Sequence, residues 1–374
     1  MEGDNTLKNG RRVDFDLLKI IACFCVLVDH TSYKTFLNAD INTFTWFASA
    51  SYFYSSKFAV PVFLMVSGAL LLRKNDDYLT VYKRIGRVLL ALIIFSYFHY
   101  ASWFSWSTIF DFKEFLWRLC TFGNTYSYWY LYMYIGILIM YPMLQRMVSN
   151  FSKKDFLYFG FWAYLFLGIY PLITHFYPEL IYKTTTVGYA PLIGPFNNNY
   201  AYSMFIILPI FHVYIAYFIT GYFIDNFVDY NKKLLVVAIA VAILSVGLSV
   251  YLTYAENIRL DKSVGKYVFF MYNNLFLITC SSLSICVFYI GKCIPHIINF
   301  SYCQRKVISY FGMLSFGIYL LGDKFIYWYR DVHQVLLSYT SPLIGLVLYQ
   351  LIVFLTCMAI TMVLIKLPIF RKIL

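Results

Sequence analysis

Residues 15–36 read FDLLKIIACFCVLVDHTSYKTF. The run is long enough to cross a bilayer core, which takes about 20 mostly apolar residues, yet it carries Asp16, Lys19, Asp29 and His30. Ionisable groups at membrane depth are expensive to bury, so they point to function by default. A helix turns about 100° and rises about 1.5 Å per residue, so Lys19 and His30 differ by roughly 20° in direction and stand roughly 16 Å apart along the axis. Asp16, Lys19, Cys23 and His30 therefore line one face, with Asp29 beside it. An imidazole titrates near neutrality and suits proton transfer. Lys19 also fits a second role, as an anchor that snorkels to the nearby boundary.

The rest of the chain agrees with a membrane setting. Of 374 residues, 61% are hydrophobic and 13% charged, and 37 Tyr, 37 Phe and 7 Trp supply interfacial aromatics. Soluble domains carry about 25% charged residues, and the mean hydropathy here is +0.66. Composition thus excludes a soluble enzyme, a disordered chain and a disulfide scaffold. Apolar runs suggest ten spans: 15–36, 54–72, 88–106, 128–146, 156–174, 203–225, 234–254, 267–290, 308–329 and 342–365. With ten spans both termini share a side, and that side holds 19 of the 30 Lys and Arg against 10 on the other, with Lys19 inside the first span. The positive-inside rule makes the termini cytoplasmic. The net charge of +12 is thus topological and gives no nucleic-acid footprint. The expectation is an all-α polytopic membrane protein of about ten transmembrane helices, one domain over 1–374, with no cleavable leader.

Further motifs follow in order. Val60–Gly68 reads VPVFLMVSG; Pro61 frees a carbonyl and bends a helix, while Ser67 and Gly68 let a backbone or a slender ligand come close. Lys83–Arg87 reads KRIGR, and three-residue spacing puts Arg84 and Arg87 on one helix face, an arrangement suited to phosphate. Ser127–Leu131 reads SYWYL, followed by Tyr141 and Pro142, and Ser315–Leu321 reads SFGIYLL. No HExxH, Cys/His cluster, nucleophile elbow or phosphate-binding loop occurs. His99, His175, His212, His296 and His333 are scattered and carry less weight, and Asn197–Asn199 reads as a surface turn.

Together these elements resemble the integral-membrane acyltransferase-3 family, whose first helix opens with Asp-x-x-Arg-x-x-Ala and continues to a His. Asp16, Ala22 and His30 keep that spacing, while Lys19 replaces the Arg. Ser127 and Gly322 stand where the family often has His, with Asp323 next to Gly322. The resemblance implies transfer of an acyl group, usually acetyl, from cytosolic acyl-CoA to a cell-surface or exported polysaccharide in the bacterial cytoplasmic membrane. In that setting Arg84 and Arg87, with Lys19, hold the coenzyme A phosphates. The pantetheine arm passes Ser67 and Gly68 toward His30. His30 acts as general base or carries the acyl group itself, the former needing only one transfer; Asp29 or Asp16 orients or compensates the basic groups. No metal is expected. The competing reading is a polysaccharide or lipid-linked sugar transporter without covalent chemistry, and the modest loops argue against a glycan polymerase.

Overall fold

The computed structural model describes residues 11–74, 76–103, 110–121, 126–169, 213–259 and 277–374, and every element among them is helical. They are α1 (Val13–Leu37), α2 (Phe44–Ser55), α3 (Ala59–Leu71), α4 (Tyr78–Trp103), α5 (Phe112–Cys120), a single 3-10 turn (Tyr126–Tyr128), α6 (Trp129–Ser149) and α7 (Lys153–Ala163), which widens into a π-turn to Ile169. After these come α8 (Val213–Phe227), α9 (Lys232–Arg259), α10 (Ile278–Ile297), α11 (Tyr302–Trp328), α12 (Arg330–Tyr339), α13 (Pro342–Leu364) and α14 (Pro368–Ile373).

Local chemistry sets several starts. Asp14 and Asp16 occupy the first turn of α1, where negative charge complements the helix dipole. Ser152 with Asp155 and Ser301 with Gln304 form capping boxes at α7 and α11, each satisfying two otherwise unpaired N–H groups. Ser341 caps α13 and Pro342 takes its first position, where a missing N–H is harmless.

Among the described residues, five stretches are long and apolar enough to cross a membrane: Phe44–Leu71, Trp129–Ser149, Lys232–Ile258, Ile278–Ile297 and Pro342–Leu364. The first corrects the span expected at 54–72. The apolar run begins at Phe44, and α2 stops at Ser55 before α3 starts at Ala59. The bend expected from Pro61 is realised as a full break, leaving Pro61 in the first turn of α3, where its missing N–H removes no helical bond. The expected spans 15–36, 88–106 and 308–329 fall on α1, α4 and α11, of which α4 starts earlier, at Tyr78. Parts of 88–106, 156–174, 203–225 and 267–290 lie outside the described residues, as do Asn197–Asn199, His175 and His212. The short helices α5 and α12 were not foreseen, being too brief for a search for bilayer-length runs.

Helix α1 is the hub, packed against α2, α3, α10, α11 and α13. It runs parallel to α11, with Asp16 against Gly312 and Leu27 against Gly322. Phe15 stacks on Phe288 of α10 at 5.8 Å and Phe24 meets Phe354 of α13 at 5.5 Å. Helices α3 and α8 interlock through Gly68 and Gly221: a methyl group at either would overlap the other helix's backbone, at Phe218 and Met65. Outward-facing residues of α9 and α13, among them Val237, Leu244, Leu355 and Val363, are exposed and apolar, a surface that lipid, not water, would cover.

Cations gather at one end of the bundle. Arg12 and Arg73 share the buried carboxylate of Asp225 at 3.1 and 2.7 Å. Lys292 donates to the carbonyls of Ile224, Asp225 and Val228 at 2.7–2.9 Å, capping the end of α8. Burial works against the charge on Arg12, but the hydrogen bond and charge of Asp14, with those of Asp225, hold its pKa above the ordinary arginine value.

Candidate functional site

Helix α6 packs on α4 and reaches α3 and α11 chiefly through its aromatic side chains. Tyr130 and Tyr134, one turn apart on α6, stack at 5.8 Å. Tyr130 meets Phe63 of α3 at 6.4 Å and Tyr319 of α11 at 5.8 Å. The Tyr134 hydroxyl faces Ser67. Tyr319 donates to the carbonyl of Ser127 at 2.6 Å. All five of these facing side chains (Phe63, Ser67, Tyr130, Tyr134, Tyr319) are half-buried.

Toward the cation-rich end, α4 stands beside these contacts. The charges of Arg84 and Arg87 both bear on Tyr134. Arg84 Nη1 lies 2.6 Å from Asp76 Oδ2, which also accepts from Tyr141 at 2.9 Å. Arg87 donates from Nε to the carbonyl of Ile373 at 2.8 Å and from Nη2 to the main-chain oxygen of Leu374 at 2.7 Å, which fixes the plane of its guanidinium. Three residues singled out in the sequence, Ser67, Arg84 and Arg87, thus converge on one that was not, Tyr134.

The predicted groups of α1 divide by direction. Asp16, 2% exposed at its side chain, accepts from Arg11 at 2.7 Å and pairs with Lys19 at 3.3 Å. Cys23 Sγ donates to the Ser315 carbonyl on α11 at 3.3 Å. Asp29 turns the other way and pairs with Lys57 Nζ at 2.6 Å, in the break before α3. Cys23 and Leu27 therefore meet α11 while Phe15 and Asp29 meet α10 and the break, and helical spacing puts Lys19, Val26 and His30 on the strip of α1 between them. His30 is half-buried and makes no hydrogen bond to a described residue. Gly68 faces the Phe218 backbone of α8, so of the two close approaches its sequence allowed, the structure contains that of a helix.

Three further groups were missed. Lys57 is 7% exposed and sits 4.3 Å from the Phe53 ring centre; a cation inside the apolar run 44–71 was its available signal. Tyr134 had no signal, being one tyrosine among 37. His99 is 1% exposed with Nε2 3.3 Å from the Leu320 carbonyl, which also accepts from Tyr128 at 2.6 Å. Beside this group the Ser127 hydroxyl is buried without a hydrogen-bond partner among the described residues. Those residues contain no group of three or more His, Cys, Asp or Glu able to hold a metal.

Removing the Lys57 charge strands Asp29. Lys57→Met is expected to lower stability by about 1–3 kcal/mol, and adding Asp29→Asn should recover most of it. Thermal unfolding of the detergent-purified protein measures both; additive losses would show that the pair is not coupled.

A helical bundle with an apolar jacket and ion pairs buried between its helices defines a membrane protein. Residues 12–366 match the family model described as acyltransferase domain. The chain belongs to that acyltransferase-3 family and is a membrane acyltransferase. No curated protein and no solved structure matches it.

Proposed function

We propose that the protein transfers an acetyl or similar acyl group from cytosolic acyl-CoA to a hydroxyl of a cell-surface or exported polysaccharide, from a bacterial cytoplasmic membrane. The observation that supports this reading is the grouping of Ser67, Arg84 and Arg87 around Tyr134; in this reading they face Lys19 and His30 of α1 across a cleft. In this reading ten spans bring the cation-rich end and both termini to the cytoplasm, in keeping with the positive-inside rule.

Arg84 and Arg87 take the donor's phosphates, planar guanidinium groups being good partners for them. Asp76 fixes one and the main-chain oxygens of Ile373 and Leu374 fix the other, so little ordering is left to binding. Asp16 holds Lys19 at the same mouth. The thin arm of the donor runs past Ser67, Tyr134 and Tyr130. His30 accepts the proton of the acceptor hydroxyl as its oxygen attacks the thioester carbonyl. The carbon–sulfur bond breaks, and the departing thiolate takes the proton back from the imidazolium. Asp29, committed to Lys57, steadies the turn that carries His30. No metal enters these steps.

The test is donor consumption by membranes containing the protein, with and without surface glycan, followed by mass spectrometry of the glycan. Acyl transfer that depends on the glycan is expected. Arg84→Ala with Arg87→Ala should raise the donor KM tenfold or more, since each charge-assisted contact is worth about 1.5–3 kcal/mol. A transporter would move glycan and leave the donor intact, and that result would refute the proposal.

A further inference from the structure

A second feature at the cation-rich end is separate from the cleft. Where the start of α1 meets the end of α10 and the start of α11, a partly open cavity of about 190 Å³ is lined by Arg12, Asp14, Lys292, His296, Phe300 and Arg305, among others. Arg84 and Arg87, on α4, do not line it. The cavity's own charges are three cations and one carboxylate. Behind it, Asp225 is shared between Arg12 and Arg73, so with these counted the cluster holds four cations and two carboxylates.

The division of labour is legible in the contacts. Arg12 is held by Asp14 and Asp225, and Lys292 by three α8 carbonyls. Both are fixed, and they serve as a standing positive field. Arg305 and His296 form the rim. The Arg305 Nε donates to the Phe300 carbonyl at 3.0 Å. The exposed His296 ring stacks on Tyr230 at 4.9 Å and makes no hydrogen bond among the described residues. A water's share of liquid volume is about 30 Å³, so the space suits a phosphoryl group with a few waters. Ile297 and Ile298, next along the chain, are 56% and 51% exposed and offer apolar surface at the mouth.

We infer that this cavity binds a phosphoryl group through Arg305 and His296, against the field of Arg12 and Lys292. Basic recesses between membrane helices hold anionic lipid headgroups in this way, and a soluble phosphate ester presents the same chemistry. The inference does not depend on the acyl-transfer reading, because its test reads binding alone.

The full chain is placed in nanodiscs of phosphatidylcholine with or without phosphatidylglycerol, and native mass spectrometry reads the anionic lipid retained. In parallel, inorganic phosphate is titrated at constant ionic strength while thermal unfolding is followed. Arg305→Gln should weaken binding about tenfold, the value of one charge-assisted contact, and His296→Ala should act in the same direction. Lys306→Gln, one residue away and exposed, should change neither reading. Loss of phosphatidylglycerol retention in Arg305→Gln identifies a lipid headgroup; loss of phosphate stabilisation alone identifies a soluble ligand. Either outcome supports the site. Should Arg305→Gln fail to fold, His296→Ala gives the same comparison. Binding of neither probe, or equal losses in Lys306→Gln, would overturn the inference.

Discussion

Replacing His30 with alanine is expected to lower acyl transfer by roughly 10²–10⁴-fold, the usual contribution of a positioned general base, while the protein stays folded and inserted. The structure supplies the reason for the second half of that expectation. His30 makes no hydrogen bond to a described residue, so its removal breaks none among them. Its neighbours behave differently: Asp29 is committed to Lys57, and Asp16 to Arg11 and Lys19. Substituting those carboxylates should depress stability and activity together, whereas His30→Ala should separate the two. The readouts are donor consumption in membranes and thermal unfolding of the same preparation. Full activity in His30→Ala would remove the imidazole from the chemistry.

The second large effect is on folding. Gly68→Ala is expected to destabilise the protein by about 3 kcal/mol or more, at or beyond the upper end of usual overpacking costs. The added methyl would overlap the Phe218 carbonyl oxygen, and Gly221 on the facing helix is equally tight against Met65. A backbone cannot rotate out of the way as a side chain can, so α3 and α8 would have to part. Ser67→Ala, one residue earlier, loses only the hydroxyl contact with Tyr134. Detergent-solubilised yield and unfolding temperature distinguish the pair. A Gly68→Ala protein of normal stability with weakened donor binding would return Gly68 to the passage.

Much of this was legible in the sequence, for reasons that differ by residue. The ionisable strip of α1 was readable because charge inside an apolar run is rare and helical spacing fixes its direction. Arg84 and Arg87 were readable because an i,i+3 pair must share a face. The direction of Ser67 was not, since small residues adjoin helices and ligands alike; only the position of α6 distinguishes Ser67, facing Tyr134, from Gly68, facing α8. Lys57 looked like a flanking charge because the apolar run was taken to begin at residue 54. Once Phe44 is included, the lysine falls in the middle and requires a counter-ion, which Asp29 supplies. His99 gave no signal, because its partner is a backbone carbonyl on α11, more than two hundred positions away in the chain.

The interlocked glycines also have a mechanical consequence. Two backbones in mutual contact can neither slide nor roll without colliding, so α3 and α8 act as a stator. Motion of α6 against α3 and α11 would instead have to break single hydroxyl contacts, those of Tyr141 with the Leu71 carbonyl and of Tyr128 with the Leu320 carbonyl, so that seam yields before the locked pair does.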